Sequence, residues 1–321
     1  MMKENLEPMH QPVMLERTLE LLSPALQSQS PVMVDCTLGL GGHAEAFLSA
    51  FENLTLVGID RDPIALELSA QRLDRFGDRV RFFHGRYDQI SQALADNQLA
   101  HSNAVLMDLG VSSMQIDSPE RGFAYSFDAP LDMRMDTTEG LTAADILATS
   151  SELELYRIFR DWGEEKYAKK IASEIVARRS KEAILTSKQL ASLVSDVVPF
   201  IPGKSSGHPA KRVFQGLRIE VNRELEILAA AVPAAIEALA LSGRLLVLSY
   251  HSLEDRIVKQ ALSAAATSSA PLDLPFELPE HAPTMKLLVK GAEKASLEEI
   301  AANPRSASVR LRAAEKIRKV A

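Results

Sequence analysis

Short apolar runs alternate with helical patterning along the first third of the chain. Pro31 to Val34, Leu54 to Asp60, Val80 to His84 and Asn103 to Leu109 are nearly continuous hydrophobic runs, as strands buried on both faces require. Between them, His43 to Phe51, Arg61-Asp62-Pro63 to Phe76, and the stretch after Gly85-Arg86-Tyr87-Asp88 to Ala95 carry helical spacing, with Pro63 near a first turn. A helix over Leu15 to Leu22, led in by His10-Gln11-Pro12 and stopped by Ser23-Pro24, precedes the first strand. Strands alternating with helices call for a parallel sheet covered on both faces.

The pattern changes past Leu109. Ser112 to Thr138 is irregular, with Pro119, Gly122 and Pro130, and then Thr142 to Leu147, Ser151 to Asp161, Glu164 to Arg179 and Ser187 to Val198 read as helices. No convincing strand falls among them, so residues 138–214 read as a helical insertion into an α/β domain made of 1–137 and 215–321. A helix from Leu225 to Leu241 follows, and Gly243 to Ser249 is a fifth parallel strand. Thr284 to Lys290 and Ser308 to Ala314 suit a final antiparallel pair, which brings the sheet to seven strands. The Ala-, Ser- and Pro-rich tract from Ala264 to Pro283 reads as a mobile loop.

In an open α/β sheet ligands bind at the carboxyl ends of the strands. Those ends carry Gly39 to His43, Asp60, Tyr87 and Asp108 to Gln115. Three glycines in the first turn suit backbone that takes positive φ or lies against a ligand, and a helix start adds unpaired N–H donors. Gly39-x-Gly41-x-x-Ala44, with Asp60 nineteen residues past Gly41, formally satisfies a relaxed dinucleotide fingerprint. The same geometry serves S-adenosylmethionine, which has an adenosine but no pyrophosphate. The glycines alone leave both ligands open.

Composition narrows the class. The 321 residues are 46% hydrophobic and 25% charged, ordinary for a soluble protein with a substantial core. A net charge of −7 argues against nonspecific coating of nucleic acid and leaves room for a local basic face. The single cysteine, Cys36, excludes an intramolecular disulfide and a thiolate metal cluster, and it reads as a small core residue. Met1 to Pro8 lacks a secretory pattern and the Leu225 to Leu241 helix is too polar to span a bilayer, so a cytoplasmic protein without a membrane partner is expected.

Six stretches together resemble the bacterial 16S ribosomal RNA cytosine-N4 methyltransferase family. They are Thr37-Leu38-Gly39-Leu40-Gly41-Gly42-His43, Asp108-Leu109-Gly110-Val111-Ser112-Ser113, Arg121-Gly122-Phe123, Pro130-Leu131-Asp132-Met133-Arg134-Met135-Asp136, Phe214-Gln215-Gly216-Leu217-Arg218-Ile219 and His251-Ser252-Leu253-Glu254-Asp255-Arg256. The likeness runs from His10 to Asn303-Pro304-Arg305. Ala44, Tyr87 and Gly216 depart from the family pattern, where serine, phenylalanine and alanine are usual.

The resemblance implies a class I methyltransferase, a Rossmann-like and mostly parallel seven-stranded sheet with an inserted all-helical substrate domain. It implies methylation of the exocyclic N4 amine of a cytidine in 16S rRNA, at the decoding centre of the small ribosomal subunit, with S-adenosylmethionine as cofactor and a homodimer as a plausible state. The family's cofactor contacts fall on Gly41, Gly42, His43, Asp60, Tyr87, Asp108 and Gln115. These coincide with the strand ends reached from topology.

Each residue also has a plainer role open to it. Asp60 suits ribose hydroxyls, or a cap on the helix after Pro63; Tyr87 suits adenine, or edge packing; His43 suits the ligand, or an ordinary first helical turn. Asp108 is near enough to serve either the cofactor or the target amine. No metal or covalent intermediate is needed for an in-line methyl displacement. The chain lacks the proline-rich aromatic motif with which many amino methyltransferases stack their base, which leaves Phe123, Tyr125 or Phe127 as candidates, against packing of their loop. For RNA contact, Lys169, Lys170, Arg178 and Arg179, with Lys166 and Lys181, cluster in the insertion, and His208, Lys211, Arg212 and Arg218 follow at its exit, with Arg223. Two other readings remain, an assembly factor that binds ligand or RNA without chemistry, and a nicotinamide dehydrogenase.

Overall fold

A computed structural model of the chain describes residues 12–199, 208–271 and 278–318. The lead-in at His10 and Gln11 and the stretch Met1 to Pro8 lie outside the described residues. Two compact units form, one from the chain up to Gly110 together with Leu225 onward, the other from Val111 to Glu224.

In chain order the first unit begins with α1 (Leu15–Leu22), β1 (Val32–Asp35), α2 (Gly42–Ala50), β2 (Thr55–Asp60), α3 (Pro63–Leu73), β3 (Val80–His84), α4 (Ile90–Asp96) and β4 (Ser102–Asp108). The second unit holds α5 (Ser113–Asp117), α6 (Ala143–Thr149), α7 (Glu152–Arg157), α8 (Ala168–Arg179), α9 (Ser187–Val197) and α10 (Ala210–Asn222). The first unit resumes with α11 (Glu224–Ala238), β5 (Leu239–Ser249), α12 (Ser252–Ala265), β6 (Met285–Leu287), α13 (Leu297–Ala302) and β7 (Arg310–Lys316).

The seven strands lie in the order β3-β2-β1-β4-β5-β7-β6. The first five are parallel and β7 is antiparallel to both β5 and β6. This is the class I methyltransferase sheet expected from the motifs. Its two faces follow from the pleat, because alternate side chains of each strand point to opposite sides. Val34, Val57, Val105 and Leu245 pack with Leu94 of α4, Val232 and Ala235 of α11 and Val258 of α12. Met33, Leu56, Ala104 and Leu246 pack on the other face with Leu22 of α1, Phe47 of α2 and Leu73 of α3.

Several element boundaries differ from the sequence reading, among them the strand expected over Thr284 to Lys290, which is only Met285–Leu287. The apolar run up to Leu241 is helical only to Ala238, since Leu239 already pairs with Ser102 as strand. The stretch from Glu164 is helical only from Ala168, because Glu164 takes φ 49 and breaks the turn. Of the tract 264–283, Ala265 still belongs to α12, and Ser269 N–H and Thr284 N–H donate to His281 and Ala265 carbonyls at 2.9 Å. Residues 272–277 of that tract lie outside the described residues.

The second unit is wider than 138–214 and has its own core, built on Phe159, Ile171, Leu193 and Leu217. The irregular segment before 138 belongs to it because Leu131 and Met133 are buried there and Leu131 N–H donates to Leu185 O at 3.0 Å. Its far boundary lies past 214 because α10 runs unbroken to Asn222. The Asn222 side chain then holds the segment at both ends of a peptide pair, donating to Met133 O at 2.7 Å and accepting from Met135 N–H at 2.8 Å.

Candidate active site

The parallel register aligns three strand ends. Asp35 of β1 lies opposite Gly58 of β2 and Leu106 of β4, so Asp60 and Asp108 each close their strand two residues further on. Thr37 stitches the ends together, its hydroxyl accepting the Asp108 N–H at 2.7 Å. The glycine turn follows, with Gly41 at φ 74 as the residue that starts α2. An L side chain rarely takes that φ, and a Cβ there would also press on Leu73. Gly42 serves a close approach of another kind: a Cβ would lie 2.6 Å from the Pro12 ring, so its bareness admits the segment that precedes α1.

Asp60 holds the turn. Its Oδ2 accepts the Gly39 N–H at 2.7 Å and its Oδ1 the Asp62 N–H at 2.9 Å, while Gly85 N–H donates to its carbonyl at 2.9 Å. The cap of α3 is Asp62, whose carboxylate accepts the Ile64 N–H. Asp60 is therefore not the helix cap. Burial pushes its carboxyl up to about 6, against the pull of the backbone donors.

Asp35, not singled out in the sequence, belongs to the same cluster. It is 2% exposed, and burial pushes it up to about 7, with the Asp108 and Asp60 charges adding to the rise. Among the described residues neither Asp35 nor Asp60 has a cationic side-chain partner. The strand ends thus gather three carboxyl groups, a setting suited to a cation and hostile to a pyrophosphate.

His43 stands beside Asp108 in the first turn of α2. It is 6% exposed, and burial lowers it to about 4, so the ring is neutral. Its Nε2 lies 3.0 Å from the Val13 carbonyl, which only accepts, so Nε2 carries the proton. Nδ1 is then an acceptor, and it lies 3.8 Å from Asp108 Oδ2. Two acceptors facing each other at that separation suit a shared donor, such as an ammonium group. The other Asp108 oxygen, Oδ1, accepts the Tyr250 hydroxyl at 2.7 Å. Tyr250 follows β5 directly, and its backbone N–H is fixed by Glu254 at 2.7 Å. Tyr87 stands half-buried in the turn after β3, packed against the core beneath β1 and β2. Cys36 is buried and its thiol is pushed up, which leaves it as core.

The sequence of such a site has a recorded likeness. The profile of the MraW methylase family matches residues 7–317. The chain belongs to the MraW methylase family. Ribosomal RNA small subunit methyltransferase H of Clavibacter michiganensis subsp. michiganensis is 58% identical over 314 residues, covering 98% of each chain. Proteins of the same name from Leifsonia xyli subsp. xyli and Saccharopolyspora erythraea are 57% and 56% identical over 309 residues, covering 96% of this chain and 95% and 94% of theirs. The protein is a methyltransferase, and its methyl donor is S-adenosylmethionine. The carboxyl cluster suits the chemistry of that donor, whose sulfonium and ammonium are cationic and whose ribose carries two hydroxyls. The dehydrogenase reading falls with the family.

The remaining predicted residues of the methylase lie in the Val111–Glu224 unit. Gln115 is 4% exposed on α5, where its amide oxygen accepts the Ser112 N–H at 3.1 Å and closes a capping box. Lys169, Lys170, His208, Lys211 and Arg212 are exposed. Three predicted cations hold the unit together instead. Arg179 donates to the carbonyls of Leu147 and Ser150 at 2.6 and 2.7 Å, Arg218 forks onto Glu224 at 2.9 and 3.0 Å, and Arg178 pairs with Glu174 and Asp196. The charges of Arg178 and Arg218 are matched by carboxylates and Arg179 is bonded to carbonyls, so charge density in the sequence overstates the basic face. Among the candidate stacking aromatics, Tyr125 already stacks on His208 with centroids 4.7 Å apart and meets the edge of Phe214, Phe123 is half-buried, and Phe127 is 48% exposed. No described helix is long and apolar enough to cross a membrane.

Proposed function

We propose that this methylase methylates the exocyclic N4 amine of a cytidine in 16S rRNA, at the decoding centre of the small ribosomal subunit. The observation that carries the cofactor half of this reading is the cluster of Asp35, Asp60 and Asp108 beside a neutral His43. Gly41 and Gly42 shape the turn beside it, Asp60 keeps lone pairs for two ribose hydroxyls, and Tyr87 flanks the adenine. His43 Nδ1 and Asp108 Oδ2 receive the ammonium. S-adenosylmethionine supplies, when bound, an electrophilic methyl group on a sulfonium.

What this chain's residues add is alignment. The cytosine amine is a poor nucleophile because its lone pair is delocalised into the ring. Methylated there, the amine would have one proton to shed. Asp108 is assigned mainly to the cofactor, its other oxygen being occupied by Tyr250, so that proton passes to water at the strand ends. Proximity and orientation supply roughly 7–11 kcal/mol of such a barrier. The amine must be unpaired to react, so the target base is single-stranded or extruded. Lys169, Lys170, His208, Lys211 and Arg212 are assigned to the RNA backbone and Phe127 to the base. The names of the curated relatives support a small-subunit rRNA substrate.

The test is transfer of tritiated methyl from S-adenosylmethionine to 30S subunits that lack the cytidine methylation. The expected result is label on one cytidine N4, lost in Asp60→Ala and in Gly41→Val. Subunit binding without label would instead support an assembly factor.

A further inference from the structure

The His43 ring is held by a single peptide group, and the far side of that peptide is held from the other end of the chain. The Val13 carbonyl accepts from His43 Nε2 at 3.0 Å, and the N–H of the same peptide, on Met14, donates to Glu299 Oε1 at 2.5 Å. A trans peptide points its C=O and N–H in opposite directions, so Glu299 and His43 sit at the two poles of one dipole. Met14 takes φ 51 and ψ 37, a left-handed conformation that a methionine rarely adopts. Contacts outside the local chain must therefore hold this peptide.

A second observation marks Glu299. Ser296-x-x-Glu299 opens α13, the pattern in which the acid normally reaches back to the first N–H of its own helix. Five other helices of this protein close that box, at Ser112/Gln115, Thr142/Asp145, Ser151/Glu154, Thr186/Gln189 and His251/Glu254. Ser296 does accept the Glu299 N–H at 3.1 Å, yet the Glu299 carboxylate is turned away to Met14. A charged acceptor on the N–H polarises the peptide and makes its carbonyl a better acceptor for the imidazole.

We infer that Glu299 is a positioning residue of the cofactor site, acting through the Val13–Met14 peptide to keep His43 in its Nε2–H tautomer. The inference rests on the assignment of His43 to the cofactor. It gives the C-terminal segment a role in cofactor affinity without contact with the cofactor. Arg17 and Glu293 supply the control, since their two-bond pair at 2.9 and 3.0 Å joins the same two segments and leaves the peptide untouched.

The experiment measures S-adenosylmethionine affinity by calorimetry and the His43 tautomer from its ring ¹⁵N shifts, in the full chain. Glu299→Ala is expected to weaken binding about ten-fold, with the ring shifts moving toward mixed tautomers. Glu299→Gln, whose amide oxygen accepts the same N–H, is expected to recover affinity to within about three-fold of wild type. Glu293→Gln is expected to match wild type in both readouts. Wild-type affinity and a pure Nε2–H ring in Glu299→Ala would overturn the inference, as would an equal loss in Glu293→Gln. If the wild type itself binds no S-adenosylmethionine, the cofactor assignment fails, and the ring shifts still decide on Glu299.

Discussion

Asp35 illustrates how one side chain carries the character of the site. A buried carboxyl pushed up to about 7 is protonated in the folded protein at pH 5, while in the unfolded chain it is already ionised there. The folded state thus binds more protons, so this group's contribution to stability is greatest below pH 4 and is lost as pH rises toward 7. Asp60, pushed up to about 6, works in the same direction. Asp35→Asn should therefore raise the melting temperature of the cofactor-free protein more at pH 8 than at pH 5, and thermal denaturation at both values checks this. An equal gain at the two values would show that Asp35 titrates normally. Asp60 is a candidate legible from its place at a strand end, whereas Asp35 looks like part of the strand. Its neighbours come from β2 and β4, which no local pattern around residue 35 contains.

Among elements, the helical unit depends on how closely one turn meets one helix. Ile158 to Trp162 form a π-helical turn after α7, and Gly163 ends it against α10. A Cβ on Gly163 would lie 2.5 Å from the Arg212 carbonyl and 2.7 Å from that of Phe159, both backbone atoms that cannot swing aside. A Cβ on Gly216, on the facing helix, would meet Ile158 O at 3.0 Å and Gly163 N at 3.1 Å. Gly163→Ala should then destabilise this unit by roughly 1–3 kcal/mol, and Gly216→Ala by clearly less. Denaturant unfolding of the two variants gives the comparison, and equal midpoints would contradict it. The helix containing Gly216 was not foreseen, since the sequence reading closed the insertion at 214, inside α10. α12 was likewise missed, although its start is written in His251-x-x-Glu254, a capping box with histidine in the place of the usual serine.

For the whole molecule, charge is the deciding quantity. A chain of net charge −7 has little general attraction for RNA, so recognition must come from a local face together with shape. The exposed Lys169 and Lys170 of α8 are the sharpest probe, because Arg178 and Arg179 of the same helix are already paired or bonded to carbonyls. Charge reversal of both lysines should raise KM for 30S subunits several-fold and leave S-adenosylmethionine affinity unchanged, and intact 30S should be methylated faster than naked 16S RNA. Steady-state methyl transfer with both substrates tests this. An unchanged KM would remove α8 from the RNA surface, and equal rates on the two substrates would remove recognition of the assembled particle.

The sequence by itself determined the alternation of strands and helices, the seven-stranded sheet, the family and which residues close the strands. These are properties of local periodicity and of motifs contiguous in the chain. Only the tertiary structure decided that Asp35 joins Asp60 and Asp108, that His43 is neutral and protonated on Nε2, that Tyr250 holds Asp108, and that Arg178, Arg179 and Arg218 are held by protein partners. Protonation state, tautomer and charge pairing depend on burial and on the nearest polar atom. For His43 that atom lies thirty residues away, and it is held in turn from position 299.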